Sequence, residues 1–184
     1  YCSGSYNIAI GSGAGFGSST LANNTYTYNI AIGNGSMYYC TTGGNNIAIG
    51  TNTLQQVTTG YSNVAVGHEA GHQTVTATNN TLVGYQAGQY VTNKGSNIAV
   101  GFQAGRYSLN YYNVAVGNYA GYHARSGSYV TNVGDQAGFY ATGSYNTFIG
   151  GLAGKGATTS APYSSGQYNT AVGANALKGF TTAG

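Results

Sequence analysis

Short apolar segments recur along the whole chain, each reading Asn-(Ile/Val/Thr)-Ala-(Ile/Val)-Gly or a looser variant. In each segment two β-branched residues alternate with alanine, and this period of two predicts a short β-strand. β-branched residues favour strands, while the Asn and Gly at the two ends are typical of turns. Seven clear copies and three looser copies end at Gly11, Gly33, Gly50, Gly67, Gly84, Gly101, Gly117, Gly134, Gly150 and Gly173.

The closing glycines are 16 or 17 residues apart, except for 22 at the first interval and 23 at the last. Short units that cannot bury an apolar face alone form a continuous core when they stack. We therefore predict an all-β fold, a β-solenoid or β-roll of about ten 17-residue coils with parallel strands stacked along a rod. The chain is expected to form one repeat domain over residues 1–184, with coils from about residue 6 to 177 and insertions near residues 16–27 and 155–167.

Each coil is expected to hold two short strands and two turns. The β-branched residues of each pentapeptide, such as Ile8 and Ile10, share one strand face and are expected to point inward. The asparagine that opens each pentapeptide predicts a stacked amide ladder. A second motif, Gly-x-x-Ala-Gly, is expected to fill the same thin interior with a column of Ala70, Ala87, Ala104, Ala120, Ala137 and Ala153.

Charged side chains are rare: Lys and Arg number 5, Asp and Glu number 2, and the formal net charge is +3. The cations are scattered along the sequence, whereas phosphate backbones are bound by several Lys or Arg on one face. No apolar run approaches the roughly 20 residues that span a bilayer. We therefore expect neither a nucleic-acid partner nor membrane insertion.

The unit Asn-x-Ala-(Ile/Val)-Gly resembles the head repeats of trimeric autotransporter adhesins of the YadA-like type. The segment Asn169–Leu177, which reads NTAVGANAL, is similar to NTAVG-type repeats of phage tail fibres and bacterial surface proteins. The resemblance covers the chain from Tyr6 to about Leu177, although the period is longer here than in the adhesin heads. It implies a β-roll or β-solenoid, often with three chains side by side, that binds host surfaces or serves as a stiff extracellular stalk.

The segment 68–72 reads HEAGH and matches the H-E-x-x-H motif of zinc metalloproteases, in which a helix places both histidines on one face. Here the Ala-Gly of the segment belongs to the repeat, so strand and turn are expected instead of a helix. Glu69 and Asp135 are the two acids of the chain, and four repeats separate them, which leaves no carboxylate pair for catalysis. We expect no enzymatic activity, no cofactor and no metal site.

Cys2 and Cys40 are the two cysteines, and an extracellular chain tends to oxidise such a pair. They lie two repeats apart, about 10 Å along the predicted rod, whereas a disulfide needs Cα atoms within about 7 Å. A bridge within the chain therefore depends on how the first insertion folds. An intrachain disulfide, an intermolecular disulfide and free thiols are the three alternatives.

Two further patterns mark candidate surface positions. Asn-x-Ser/Thr sequons make Asn23, Asn34 and Asn79 candidate glycosylation sites, although chance matches are expected in a chain this rich in Asn and Thr. One phase of the repeat carries six tyrosines, which are expected to line one side of the rod: Tyr6, Tyr28, Tyr112, Tyr129, Tyr145 and Tyr168. They predict either a stacked cladding over the core or an aromatic surface for assembly or for binding a host-surface glycan or protein.

The repeat favours a structural subunit or stalk of an extracellular fibre or filament over an enzyme. The repeat continues in register toward both ends of the chain, which predicts self-association into a filament through open solenoid ends or into a trimer of side-by-side chains. The alternative is a receptor- or glycan-binding adhesin or phage tail fibre head, in which the insertions and tyrosines contact a host surface. An ice-binding protein is a minor alternative, because threonine does not recur at one phase on successive coils.

Overall fold

The computed structural model describes residues 4–17, 24–107, 110–156 and 164–180. Within these ranges the regular elements are ten β-strands of three residues each, and no helix is present. Each strand lies at the centre of one repeat pentapeptide, so the predicted all-β solenoid is confirmed. The strands are β1 (Ile8–Ile10), β2 (Ile30–Ile32), β3 (Ile47–Ile49), β4 (Val64–Val66), β5 (Thr81–Val83), β6 (Ile98–Val100), β7 (Val114–Val116), β8 (Thr131–Val133), β9 (Thr147–Ile149) and β10 (Thr170–Val172).

All ten strands form one parallel sheet whose order follows the chain from β1 to β10. Neighbouring strands pair at equivalent repeat positions, so that Ile47 pairs with Val64 and Ala48 with Ala65. The longer connections between β1 and β2 and between β9 and β10 leave this register intact. One strand and the turns that follow it therefore form one coil, and the coils stack at the typical strand spacing of about 4.8 Å.

The rest of each coil is a series of turns, and the predicted second strand is absent from the described residues. Glu69 (φ 55°) and Gly71 (φ 59°) both adopt left-handed conformations two residues apart, which prevents an extended strand. Their backbone N–H groups instead donate to the adjacent coils, Glu69 to the carbonyl of Thr51 and Gly71 to that of Ala87, each at 2.9 Å. Turns as well as strands therefore carry the backbone hydrogen bonds that join coil to coil.

The Ile and Val residues of the strands point outward, whereas the sequence predicted that they point into the interior. The central residue of each strand from β2 to β10 is buried, and in most strands it is alanine. The flanking β-branched residues are exposed or half-buried in every strand, and Ile10 is 58% exposed. The expectation that Ile and Val fill the interior was therefore wrong, whereas the alanine column from Ala70 to Ala153 is buried as predicted.

The physical reason is that the interior is too thin for β-branched side chains on the strand. The strand faces a turn so closely that a Cβ added at Gly121 would lie 3.5 Å from the Cβ of Ala115. A one-carbon side chain therefore already makes van der Waals contact across the interior at this position. A larger central strand residue, such as Leu82 or Phe148, fits opposite a glycine of the turn. Two β-branched residues on this face of every strand would exceed this space, so they face outward.

Where one wall of the interior carries a large side chain, the opposite wall carries a small one. Leu54 lies in the turn of the third coil, and the central strand residue of that coil is Ala48. In the fifth coil the sizes are exchanged: Leu82 lies in the strand, and a Cβ added at Gly88 would lie 2.5 Å from its Cδ2. Phe148, the largest of the fully buried side chains, also faces a glycine. This exchange keeps the interior close-packed from coil to coil.

The predicted asparagine ladder is present and lies inside the coil. Asn63 donates from its backbone N to Oδ1 of Asn46 at 3.0 Å, and its own Oδ1 accepts from the backbone N of Asn80 at 3.1 Å. Its Nδ2 also donates to the carbonyl oxygen of Ala77 at 2.8 Å, which closes the turn before the next strand. The backbone-to-Oδ1 contact repeats along the ladder. Because these groups are buried, each step satisfies atoms that would otherwise lack a partner.

Asn132 is the polar exception at the buried strand centre, and its Oδ1 accepts no hydrogen bond within the described residues. Glycines of two neighbouring turns flank it, as two glycines flank Leu82 in the fifth coil. Replacing Asn132 by leucine is expected to raise the free energy of unfolding by about 1–3 kcal/mol, because a buried oxygen without a partner costs about that much. Urea unfolding measures the change. Asn132→Ala is the control and is expected to gain less, since it leaves a cavity; a leucine variant less stable than the wild type would contradict the prediction.

Candidate functional site

The outward residues of the ten strands form a continuous apolar surface, which we name the outer face. It comprises the first and third residue of each strand, twenty positions of which sixteen are Ile or Val and four are Thr. None of these twenty side chains is buried, and none is charged. Nine strand spacings of about 4.8 Å make the face about 43 Å long. A contiguous exposed apolar surface of this extent is typical of an interaction site.

One border of the outer face, the leading column, consists of the residue two positions before each strand. Its tyrosines are exposed and stack in two groups, Tyr6 on Tyr28 and then Tyr112 through Tyr168, with neighbouring ring centroids 4.9–5.1 Å apart. The structure thus brings the six predicted tyrosines into one column, interrupted in the third to sixth coils. The column comprises Tyr6, Tyr28, Asn45, Ser62, Asn79, Ser96, Tyr112, Tyr129, Tyr145 and Tyr168, all at positive φ.

The opposite border, the trailing column, consists of the residue two positions after each strand. It comprises Ser12, Asn34, Thr51, His68, Tyr85, Phe102, Asn118, Asp135, Gly151 and Ala174. His68, Tyr85 and Phe102 stack in consecutive coils, with ring centroids 5.3 and 5.1 Å apart. This column was not predicted, although the 17-residue spacing of its three rings was a usable signal.

The segment 68–72 lies just beyond β4 and in the turns that follow, so it does not form the helix that a zinc protease motif needs. Glu69 accepts hydrogen bonds at 2.7 Å from the side-chain amides of Gln86 and Gln89. The Nε2 atom of His72 contacts a glutamine of the preceding coil at 2.8 Å. Among the described residues, no group of three or more His, Cys, Asp or Glu side chains converges to hold a metal. The contacts of this segment join one coil to the next.

A second aromatic ladder, which was not predicted, runs along the turns. Its members are Tyr90, Tyr107, His123 and Tyr140, and adjacent rings are stacked with centroids 4.8–5.4 Å apart. The guanidinium carbons of Arg106 and Arg125 lie 5.2 and 5.1 Å from the ring centroid of Tyr107. Exposed cation–π contacts of this kind contribute roughly 0.5–1 kcal/mol each. Both arginines are thus held against the ladder.

Two histidines in the turns are held toward the neutral form. Burial lowers the pKa of His72 from its ordinary value of 6.5, and the opposing effect of nearby Glu69 does not reverse this. Burial also lowers the pKa of His123, and the positive charges of Arg125 and Arg106 act in the same direction. Because both pKa values are lowered, the folded chain resists protonation of these two histidines.

The stability of the fold is therefore expected to decrease as the pH falls from about 7 to about 5. Below an unfolded-state pKa of about 6.5 the unfolded chain binds protons that the folded chain resists, and above it both states are neutral. The double variant His72→Gln/His123→Tyr keeps the amide contact and the ring stack, and it is expected to reduce this slope in thermal unfolding. Each single variant is expected to remove part of the pH dependence of stability. An unchanged slope in the double variant would show that other groups cause it.

The remaining predicted positions lie partly outside the described residues. Cys2 and Asn23 are among those outside, so neither the disulfide nor that sequon is described. Cys40 is buried in the core, with its Sγ 3.8 Å from a backbone carbonyl oxygen. Asn34 and Asn79 are both exposed. Glycosylation at these positions stays a prediction.

The outer face and its two bordering columns form the most extensive candidate site among the described residues. The described ranges contain no helix long and apolar enough to cross a membrane. Comparison of the chain with protein-family models, with curated protein sequences and with solved structures finds no match.

Proposed function

We propose that the chain is a structural rod of an extracellular fibre, in which copies lie side by side with their outer faces buried against one another. The observation that carries this proposal is the unbroken outer face, where β-branched residues point away from the coil interior in all ten strands. Burying apolar surface is the dominant favourable contribution to protein association. A rod that exposes such a surface along its whole length gains most from a partner of matching length.

The size of the surface supports a lateral interface. From the leading to the trailing column, the six residue steps of each coil span at most about 20 Å at 3.3 Å per residue. Over a length of about 43 Å this gives at most roughly 800 Å² per chain, and about 800 Å² is the area that each partner typically buries in a stable complex. The twenty strand residues carry no charge, so the strand positions of two such faces meet without burying an unpaired ion, and the one acid at the border, Asp135, accepts a hydrogen bond from Asn118.

The construction of the coils supports the role of a stiff stalk. Backbone hydrogen bonds join neighbouring coils in the strands and in the turns, and the buried asparagine ladder adds side-chain bonds along the same direction. Bending the rod would stretch these bonds on one side. The extracellular location is part of the proposal and draws on the resemblance to adhesin and tail-fibre repeats.

Charge introduced on the outer face tests this function. The variant Val66→Asp/Val100→Asp places two carboxylates at the centre of the face, and we expect its self-association to be at least 100-fold weaker than that of the wild type. Sedimentation equilibrium measures the association, and circular dichroism verifies the fold. The matched control Thr76→Asp/Asn93→Asp adds the same charge at exposed turn positions and is expected to assemble normally. A monomeric wild-type chain, or equal loss in the control, would refute the proposal.

A further inference from the structure

The two columns that border the outer face carry aromatic rings in alternate regions of the rod. The leading column holds tyrosine in the first two coils and in the last four, and it holds Asn or Ser in the third to sixth coils. The trailing column holds a ring in the fourth, fifth and sixth coils, namely His68, Tyr85 and Phe102. No coil has a ring at both borders, and the third coil, with Asn45 and Thr51, has none.

Contacts within one chain do not account for this alternation. The rings of the leading column stack on rings of the same column, as Tyr129 does on Tyr145. Within the trailing column, Tyr85 likewise stacks on His68 and on Phe102. The three-residue strand lies between the two columns and alone spans about 10 Å at 3.3 Å per residue. A ring at one border therefore does not fill the space needed by a ring at the other border of the same coil.

A second copy brings the two columns together if the rods are parallel. Two parallel rods can pack their outer faces together around a two-fold axis that runs parallel to both rods. The leading column of one chain then lies opposite the trailing column of the other, and each coil faces the equivalent coil of the second copy. Tyr112 then faces Asn118 of the second copy, and Ser96 faces Phe102 of the second copy. Nine of the ten coils thus pair one ring with one smaller side chain, while the third coil pairs Asn45 with Thr51. Packing favours such alternation of large and small residues.

An antiparallel arrangement lacks this fit. It places each leading column opposite the other leading column in reversed coil order, so that Tyr6 faces Tyr168 of the second copy and Tyr28 faces Tyr145 of the second copy. The trailing columns then oppose Tyr85 to Phe102 at the centre. Ring meets ring at both ends of the leading columns and at the centre of the trailing columns, whereas the parallel arrangement has no pair of opposed rings.

We infer that this chain associates with copies of itself in a parallel and in-register arrangement, with the leading column of one chain against the trailing column of its neighbour. This inference rests on the proposed function, because it specifies the geometry of the lateral interface. The recognition is one of size, set by at most one aromatic ring at the borders of each coil. Burial of the apolar strand residues supplies the affinity, and the bordering columns determine the orientation and register of the two chains.

Disulfide trapping tests the orientation. In a Cys2→Ser/Cys40→Val background, chains carrying Asn45→Cys are mixed with chains carrying Thr51→Cys, since both positions lie in the third coil and neither bears a ring. The valine matches Val57, which occupies the equivalent buried position in the next coil. Rapid formation of the mixed disulfide is expected. Chains with Asn45→Cys mixed with chains carrying Tyr129→Cys report the antiparallel arrangement and are expected to remain unlinked.

Ring additions test the register through size. Asn118→Tyr gives the seventh coil a ring at both borders and is expected to weaken self-association at least tenfold. Thr51→Tyr adds the same ring to the coil that lacks one and is expected to have little effect. The exchange Tyr112→Ser/Asn118→Tyr restores one ring per coil and is expected to recover association. Equal weakening by both single variants would overturn the inference.

The outcomes separate the two proposals. A wild-type chain that remains monomeric overturns the proposed function and this inference together. A wild-type oligomer that traps the Asn45–Tyr129 pair instead of the Asn45–Thr51 pair overturns the parallel arrangement and leaves the lateral fibre standing.

Discussion

Replacing Leu82 by alanine and Gly88 by leucine together is expected to leave the solenoid near wild-type stability, although each change alone destabilises it. Leu82→Ala removes a fully buried side chain and leaves a cavity, which typically costs about 2–5 kcal/mol. Gly88→Leu places a Cβ 2.5 Å from the Cδ2 atom of Leu82. Overpacking of this kind typically costs about 1–3 kcal/mol, and a leucine at positive φ adds roughly 1–2 kcal/mol.

The double variant recreates a pair that the chain already contains. In the third coil, Ala48 occupies the strand position and Leu54 the turn position, and Leu54 has a φ of 47°. Gly88 has a φ of 57° at the equivalent place, so the exchanged leucine adopts a backbone conformation that its counterpart already tolerates. The new side chain then fills the cavity that the truncated strand residue leaves. We expect the double variant to lie within about 2 kcal/mol of the wild type, with a coupling energy of at least 2 kcal/mol.

Urea unfolding of the four proteins gives this coupling directly. All four are compared at one protein concentration, because self-association raises apparent stability by mass action. If the losses in free energy of unfolding of the two single variants add in the double variant, the side chains at positions 82 and 88 do not compete for the same space. The size exchange between strand and turn would then have no energetic basis.

Removing one step of the asparagine ladder is expected to produce the second large effect. Asn63→Ala leaves the carbonyl oxygen of Ala77 and the backbone N of Asn80 without their present partners. Both groups lie in buried surroundings, and each unsatisfied buried group costs about 1–3 kcal/mol. The free energy of unfolding is therefore expected to fall by about 2–6 kcal/mol in urea.

The ladder effect has a matched control on the same coil. Thr76→Ala removes an exposed polar side chain and is expected to change stability by no more than about 0.5 kcal/mol. Hydrogen exchange at the Asn80 amide gives a second readout, because this amide loses its acceptor. A small change in stability together with unchanged exchange would indicate that the ladder is dispensable at this step.

The repeat carries enough information to predict much of the fold. The spacing of the pentapeptides predicts ten parallel strands in chain order, and equivalent positions pair as expected, such as Ala48 with Ala65. The buried asparagine ladder follows from the same spacing, because an amide repeated at each coil meets its copy in the next. The column from Ala70 to Ala153 follows likewise.

The candidate site was predicted only in part. The tyrosines of the leading column share a repeat phase, so their alignment could be predicted from the sequence. The trailing rings, such as Tyr85 and Phe102, lie in a phase that mostly holds small residues, and their relation to the leading column needs the shape of a coil. The alternation of rings across the outer face is visible only when both borders are placed on one surface.

The sequence by itself determined that the chain repeats, that the pentapeptides are strands, and how those strands register, because these features depend on local pattern and on identical spacing. Which strand face points inward was decided by the tertiary structure alone. Period two separates Ile8 and Ile10 from Ala9 but does not assign either set to the core. The assignment depends on the space between strand and turn, which takes one central strand residue per coil, such as Ala115 beside Gly121 or Leu82 beside Gly88. The apolar residues that looked like the core of the rod thus became its outer face.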